Sequence, residues 1–432
     1  MQNSVQTPTR ATHDLTAKKS WLAKLGPGLI TGASDDDPSG IATYSQAGAQ
    51  FGPNLLWTMF FTYPLMVGIQ IVSARIGRVT GKGLAGNIRQ FYPAWLLYTI
   101  VGLLLVANTI NIAADVSAMG DALMLLIGGS THLYAAGFGL VSLMLQIFLP
   151  YSKYVRILKW LTLALLAYVA TVFAVHIAWP DVARSVVAPK LKWNSETITT
   201  IVAVFGTTIS PYLFFWQASQ EVEELKADPL AKPLKEAPKQ ARANFQRIKV
   251  DTCVGMGFSN LVAFFIILTT AATLHLHGIT DIRTSAEAAN ALRPLAGEFA
   301  FVLFAAGIIG TGLLALPVLA GSAAYAIAGA FQWTKGLEHK PAVAKRFYAI
   351  IAISTLVGVA LGFAPIDPVR ALYWSAVING VISVPIMVVM MLMGGRTDVM
   401  GRFVIARRLK WIGWAATLAM AIAVIAMFAT LN

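Results

Sequence analysis

The chain has 432 residues, of which 57% are hydrophobic and only 12% are charged. A soluble domain averages about 45–50% apolar and about 25% charged residues, so this composition predicts an integral membrane protein. The single cysteine, Cys253, excludes an internal disulfide. The net charge of +13 is typical of basic cytoplasmic loops, and nucleic-acid binding is not expected.

The N-terminal segment at 1–20 is polar and rich in threonine and lysine. It lacks the apolar core and the small-residue cleavage site of a secretory signal peptide, so it is predicted to be a cytoplasmic tail. The first membrane segment follows at 25–51. Its middle, 32–40, holds three consecutive aspartates, a proline and two glycines.

These central residues predict that the first membrane helix is broken. One aspartate at a helix centre costs roughly 2.5–3.5 kcal/mol, so three in a row cannot face lipid. Pro38 removes a backbone hydrogen bond, and Gly32 and Gly40 weaken the helix on either side. The freed carbonyls and carboxylates would line a watery cavity and offer ligands to a cation. The alternative is a re-entrant loop, or a short helix that ends in an exposed acidic turn.

Ten further apolar runs have the length of a membrane span, which makes eleven predicted spans. Lysine and arginine collect in the loops after even-numbered spans, which the positive-inside rule places in the cytoplasm. The N-terminus is therefore predicted to be cytoplasmic. The ten runs are 55–72, 96–127, 133–149, 157–177, 197–218, 254–276, 299–331, 347–364, 371–393 and 411–431.

Two halves of five spans are predicted at 21–178 and 179–394. The second half includes the polar cytoplasmic loop at 221–249, and an eleventh helix follows at 395–432. If the halves are inverted repeats, the sixth span should be broken like the first. It runs through Gly206, three hydroxyl side chains and Pro211. Interrupted spans at matching positions point to a transporter's binding site, although a simple proline kink would explain the sixth span alone.

The run at 26–52, which contains Asp37-Pro38-Ser39-Gly40, resembles the first helix of the Nramp (natural resistance-associated macrophage protein) divalent-metal transporters, whose signature is Asp-Pro-Gly-Asn. Residues 206–212 align with that family's Met-Pro-His region, and 312–328 resemble its eighth helix. The resemblance covers nearly the whole chain. It implies an all-α membrane protein of about eleven helices, a LeuT-like inverted repeat with helices 1 and 6 broken.

The resemblance also implies a metal site, formed by the Asp37 carboxylate and the backbone carbonyls of Ser34 and Thr207. Gly40 stands where the family has asparagine, and Ser210 where it has methionine. Without the soft thioether, the ligands are of the carboxylate, carbonyl and water type that suits Mg, Ca and Mn. Loss of the two larger side chains is expected to leave room for a hydrated ion. This pattern resembles the Nramp-related magnesium transporters.

Two further aspartates precede the motif. Mg²⁺ keeps several waters and is usually held by one or two carboxylates. Asp36 is therefore a candidate second ligand, either directly or through water, while the part played by Asp35 stays open. An equal alternative is that Asp36 caps the broken helix or faces a vestibule.

Span three carries a candidate polar pathway. Asn108, Asn111 and Asp115 share one helical face because they are spaced i, i+3 and i+7, and such stripes normally face the bundle interior or water. Asp115 matches a family acid implicated in proton transfer, but Ala118 replaces a second acid and Tyr212 replaces the family's histidine. Passive or weakly proton-coupled flux is predicted. The alternative for Asp115 is a structural hydrogen bond.

Polar groups elsewhere in the spans are predicted to have structural roles. Asn260 and Asn379 are expected to form interhelical hydrogen bonds. Glu221, Glu223 and Glu224 are expected to form a solvated cytoplasmic surface, with an exit mouth as the alternative.

These features predict a secondary transporter of divalent cations, Mg²⁺ first and Mn²⁺ second, working by alternating access in a bacterial inner membrane. The metal is the transported substrate, so no cofactor is expected, and an oligomer is not required. The main alternative is a conventional proton-coupled Mn²⁺/Fe²⁺ importer. An amino-acid importer is disfavoured because three aspartates would repel a carboxylate substrate. A membrane enzyme is disfavoured by the lack of GxSxG or HExxH patterns, and a non-transporting metal sensor stays open.

Overall fold

The computed structural model describes residues 28, 31–32, 34–149, 161–337 and 339–430. The predicted tail at 1–20 and the starts of predicted spans one and five lie outside the described residues. Within the described part, the chain is helical and contains no β-strand. This agrees with the all-α class that the composition and the apolar runs predict.

The α-helices with both ends in the described part are numbered here in chain order, and short 3₁₀ turns such as Gly52–Leu55 and Leu161–Leu165 join some of them. The helices are α1 Pro38–Phe51, α2 Trp57–Thr80, α3 Leu84–Phe91, α4 Ala94–Ile127, α5 Thr131–Phe148, α6 Leu166–Ala174, α7 Trp179–Val187, α8 Ser195–Thr208, α9 Pro211–Ala227, α10 Ala241–Thr273, α11 Ser285–Ala289, α12 Arg293–Ala296, α13 Ala300–Phe331, α14 Lys345–Leu361, α15 Pro368–Gly395, α16 Thr397–Met400 and α17 Arg407–Thr430.

Eight helical segments of the described chain are long and apolar enough to cross a membrane. They correspond to predicted spans two, three, four, six, seven, eight, ten and eleven. Span nine is α14, whose 17 residues fall just short of the about 20 that a bilayer core needs. The described part of span five, with α6, passes the same test only when it is joined to α7 across a 115° bend.

The broken first and sixth spans resume in the same way. Asp37 is the N-cap of α1 and Pro38 is its first residue. Ser210 is the N-cap of α9 and Pro211 is its first residue. Proline suits this position because a first-turn N–H has no helical partner and the proline φ is already set. Each break therefore lies at the positive, N-terminal end of a half-helix.

Helix α13 places the two breaks close together. Residues 310–330 are all buried, and many are glycine or alanine, which let neighbouring membrane helices approach closely. A Cβ atom added to Gly312 would lie 3.3 Å from Pro38 Cγ, and one added to Gly321 would lie 2.8 Å from the Trp216 ring. The helix thus contacts the half-helices of both interrupted spans.

The polar loop predicted at 221–249 is shorter in the structure, because α9 continues to Ala227 and α10 begins at Ala241. An apolar run marks only the part of a helix inside lipid, so polar extensions beyond the membrane give no such signal. The same limit explains why the short helices α3, α7, α11 and α12 were not predicted.

Candidate cation site

The two helix breaks face each other through the side chain of Tyr212. Its hydroxyl lies 3.0 Å from Asp37 Oδ2 and 3.2 Å from the carbonyl oxygen of Ser34. On the other side of the same gap, a Cβ atom added to Gly40 would lie 3.1 Å from Thr207 Oγ1. The candidate residues that the sequence places in two distant halves are therefore brought together.

Asp37 is the helix cap as well as the candidate ligand. Its Oδ1 atom accepts hydrogen bonds from the Gly40 amide at 2.8 Å and from the Ser39 hydroxyl at 2.6 Å. The alternative in which Asp36 caps the broken helix is wrong, because Asp37 fills that position. The side chain is almost fully buried, and its hydrogen-bond donors among the described residues are hydroxyl and amide groups. A buried carboxylate is costly unless a counter-ion accompanies it, so the arrangement favours a cation.

Asp35 and Asp36 meet at a serine that the sequence analysis did not single out. The Ser259 hydroxyl, on α10, lies 2.6 Å from Asp35 Oδ2 and 3.0 Å from Asp36 Oδ1. All three side chains are buried. One hydroxyl has one proton and can satisfy only one carboxylate at a time. A lone serine in an apolar run carries no local signal, so this contact could not be predicted.

The three aspartates do not form a preformed cage. Within the described residues, no group of three histidine, cysteine or acidic side chains converges in a geometry that could hold a metal ion. Asp37 faces Tyr212, whereas Asp35 and Asp36 face α10. A cation at the breaks would thus depend on backbone carbonyls and water in addition to a carboxylate.

Ser210 and Gly40 both lie next to Thr207. The Ser210 hydroxyl donates back to the carbonyls of Gly206 at 2.9 Å and Thr207 at 2.7 Å. The Thr207 carbonyl keeps a second lone pair for another partner. A Cβ atom added to Gly40 would lie 3.1 Å from Thr207 Oγ1, 3.4 Å from the Tyr44 ring and 3.5 Å from the Asp35 carbonyl oxygen, so a larger side chain there would require Thr207 to shift slightly.

The polar stripe on α4 divides into two parts. Asn108 donates to the Leu319 carbonyl at 2.8 Å, and Asn111 donates to Asn379 at 3.1 Å, so both bond to other helices. Asp115 is fully buried, and neither of its carboxylate oxygens has a hydrogen-bond partner among the described residues. The alternative of a structural hydrogen bond for Asp115 is therefore not supported. It lies within electrostatic range of Asp37.

A cavity of about 770 Å³ lined by many polar residues opens at one end of α1 and α8. It lies at the C-terminal end of α1 and the N-terminal end of α8, which the predicted topology places outside. Glu196 and Asp281 are exposed on its wall, and Ala42 lines it one turn of α1 beyond Asp37. Hydrated cations would be attracted to these two carboxylates, and the exposed Arg370 on the same wall offsets part of their charge. Further polar lining residues include Gln46, Gln50, Thr199, Thr200 and Tyr373.

Ion pairs join α9, α10 and α2 on the face that the predicted topology places in the cytoplasm. Arg247 on α10 contacts Glu221 at 2.5 Å and Glu224 at 2.8 Å, and Arg78 on α2 contacts Glu224 at 3.5 Å. Glu221 has no exposed surface. The prediction that Glu221 belongs to a solvated surface is wrong, because the early start of α10 places Arg247 over it. A hydrogen bond also connects the first span with α10: Asp251 accepts it from the Gly28 amide at 2.7 Å.

Two interrupted helices whose breaks meet at a buried carboxylate, in an all-α membrane protein, define a transporter of the LeuT-like class. The chain belongs to the Nramp family, because the family profile described as "Natural resistance-associated macrophage protein-like" matches residues 28–430. Members of this family are transporters and not enzymes. The predicted Nramp family and the fold class are thus confirmed, whereas membership of the magnesium-transporter branch stays a prediction.

Individual relatives agree with this assignment. The divalent metal cation transporter MntH of Klebsiella pneumoniae is 28% identical over 410 residues, which cover 92% of each chain. The manganese transporter of Eremococcus coleocola, solved with an aromatic bis-isothiourea substituted compound, has a TM-score of 0.73 at 16% identity and covers 99% of this chain and 90% of its own. MhsT in complex with L-phenylalanine has a TM-score of 0.61 at 13% identity, over 95% and 99% of the two chains.

Proposed function

We propose that this protein carries divalent metal cations across the membrane by alternating access, with Mg²⁺ preferred and Mn²⁺ second. The observation that carries the proposal is the contact of Tyr212 with both Asp37 Oδ2 and the Ser34 carbonyl. Two candidate ligand atoms from one break thus meet the other break at a single buried point. The relatives named for divalent cation and manganese transport support the same substrate class.

The proposed site uses oxygen ligands. Asp37 supplies the negative charge, and the carbonyls of Ser34 and Thr207 serve as ligands in alternating conformations. Ser210 and Asp36 contribute directly or through water. Carboxylate, carbonyl and water ligands suit hard ions such as Mg²⁺ and Mn²⁺. The proposed Mg²⁺ preference rests on this ligand chemistry.

The proposed pathway runs from the polar cavity at Glu196 to the breaks and then toward the ion pairs at Arg247. The N-terminus is assigned to the cytoplasm by the positive-inside rule, and a bacterial inner membrane is the proposed location. In this orientation the cavity faces outward and the ion pairs close the cytoplasmic side. Inward release would require the pairs between α9, α10 and α2 to separate, as expected when a bundle containing the broken helices rocks around a fixed site.

Weak or absent proton coupling is part of the proposal. Tyr212 replaces the histidine of the family pattern, and a tyrosine hydroxyl holds its proton at neutral pH whereas histidine exchanges one. The second candidate function is a conventional proton-coupled Mn²⁺/Fe²⁺ importer. It is favoured by Asp115, a buried acid without a hydrogen-bond partner among the described residues, which lies near Asp37.

The test is uptake into proteoliposomes that contain dyes for Mg²⁺, Mn²⁺ and H⁺. Wild type is compared with Asp37→Ala. The control is Asp398→Ala, which removes an exposed carboxylate that does not belong to the helix breaks. Uptake of both ions without internal acidification, lost only in Asp37→Ala, is the expected result. If Mg²⁺ is excluded and Mn²⁺ carries protons inward, the conventional importer replaces the proposal.

A further inference from the structure

A second cavity, of about 390 Å³, lies where α3 and the C-terminal ends of α9 and α13 meet, on the predicted cytoplasmic face. Four of its lining side chains are basic: Lys82, Arg89, Lys226 and Lys335. None of them belongs to the cation site at the helix breaks. A wall of this charge would repel the proposed metal substrate, so it points to a different ligand.

The positive charge of this basic cavity is only partly balanced. Lys226 pairs with Glu223 at a distance of 3.5 Å, and Glu223 also attracts Lys335. Lys82 donates to the neutral amide of Gln90 at 2.7 Å. Arg89 donates to the carbonyl of Ala330. Among the described residues around this space, one acidic side chain, Glu223, thus accompanies four basic ones.

Lys335 is the most deeply placed of the four. Burial lowers the pKa of Lys335 to about 8, and the charges of Lys226 and Lys82 act in the same direction. A charged amine in that position is unfavourable without an anion beside it. The Lys335 amine also lies close to backbone amide groups at the start of α3.

The start of α3 contributes amide groups to the same space. Gly83 is the N-cap and offers no side chain to the first-turn amides. A Cβ atom added to Gly329 would lie 3.1 Å from Lys335 Nζ and 3.3 Å from the Gly86 amide nitrogen. Lys335 Nζ and the first turn of α3 therefore lie side by side at Gly329, which lines the cavity together with Gly86 and Lys335. Helix N-termini and basic side chains together are a common arrangement for binding phosphate.

We propose that this basic cavity binds a phosphate group. Its volume is within the range of small-ligand sites, about 300–1,000 Å³, and its donors are ammonium, guanidinium and amide groups. The phosphate could come from the headgroup of an anionic phospholipid in the cytoplasmic leaflet, where basic clusters attract such lipids, or from soluble inorganic phosphate. Both sources present the same chemistry to Lys82, Lys226 and Lys335.

The test measures binding to the purified full-length protein in detergent. Native mass spectrometry and thermal unfolding are recorded with phosphatidylglycerol, phosphatidylcholine or inorganic phosphate added. The triple variant Lys82→Gln, Lys226→Gln, Lys335→Gln is compared with a control triple that removes the same charge from exposed lysines of the same face. The control positions are Lys232, Lys239 and Lys249, each changed to glutamine.

The cavity variant is expected to bind the phosphate ligand about tenfold more weakly, while the control triple changes by less than about twofold. Binding of phosphatidylglycerol alone assigns the lipid source, and competition by inorganic phosphate assigns the soluble one. The exposed single variant Lys82→Gln should weaken binding even if the triple variant fails to fold. Equal losses in both triples, or no preference for phosphatidylglycerol or phosphate over phosphatidylcholine, would overturn the proposal. Because no metal is present, this outcome is independent of the transport experiment.

Discussion

The hydroxyl of Tyr212 lies 3.0 Å from Asp37 Oδ2, so a residue just after the second helix break contacts the cap of the first half-helix. The same hydroxyl also reaches the Ser34 carbonyl. A metal ion bound by Asp37 and the Ser34 carbonyl would either share these oxygen atoms with the Tyr212 hydroxyl or displace the hydroxyl from them. The contact therefore links metal binding to the relative position of the two broken helices.

Tyr212→Phe tests that link. The ring stays and its packing is kept, but the buried carboxylate of Asp37 loses a donor, which should destabilise the metal-free protein by about 1–3 kcal/mol. A bound cation would compensate for the loss. The rise in melting temperature on adding Mg²⁺ is therefore expected to be larger in Tyr212→Phe than in wild type. An identical rise in both proteins would show that the hydroxyl and the cation do not share Asp37.

Asp37→Asn separates the two roles of this residue. Asparagine caps helices about as well as aspartate, so α1 should remain capped through the Gly40 amide. The negative charge is lost, and cation transport should fall to background in liposome uptake. Asp37→Ala should lose transport and also about 0.5–2 kcal/mol of stability, because the cap is removed. Retained transport in Asp37→Asn would mean that the charge of Asp37 is not required.

Ser259→Ala should destabilise the protein by about 1–3 kcal/mol, because two buried carboxylates lose their shared donor. Ser383→Ala is a matched control on α15. Ser383 is equally buried, but its hydroxyl donates only to the carbonyl of Gly380, within its own helix, at 2.9 Å. Thermal unfolding should therefore shift clearly more in Ser259→Ala than in Ser383→Ala. Equal shifts would indicate that Asp35 and Asp36 are satisfied in another way.

Some features of the site could be predicted from the sequence alone, and others could not. Pro38 and Pro211 interrupt apolar runs, and that local signal predicts both breaks. The contacts of Ser259 with Asp35 and Asp36 join positions more than 220 residues apart, and a single serine gives no local pattern. The burial of Glu221 was missed because α10 begins with polar residues, which an apolar-run criterion assigns to a loop. Local chemistry was predictable, whereas partners set by tertiary packing were not.

The ion pairs on the predicted cytoplasmic side should be more important for stability than surface pairs usually are. Arg247→Met leaves the fully buried Glu221 without its cation, and breaking a buried pair costs about 3–5 kcal/mol. Glu221→Gln in the same background removes the stranded charge and should restore most of the melting temperature. The exposed pair of Arg184 and Asp181 provides a control, since Arg184→Met should change stability by at most about 1 kcal/mol. Failure of Glu221→Gln to rescue would show that the loss comes from packing and not from charge.

Lys335 should give the protein a distinctive pH dependence. Its pKa is lowered to about 8 in the folded state, compared with about 10.4 in an unfolded chain. Between these two values the unfolded state binds more protons, so the contribution of Lys335 makes stability rise as pH increases from about 8 to about 10.4. Subtracting the melting curve of Lys335→Gln from that of wild type at each pH isolates this contribution. A difference that stays flat across the interval would contradict the burial and repulsion inferred for Lys335.

A bound phosphate group would favour the charged amine of Lys335. Adding the ligand identified in the binding experiment should therefore flatten the rise of stability with pH in wild type and leave Lys335→Gln unchanged.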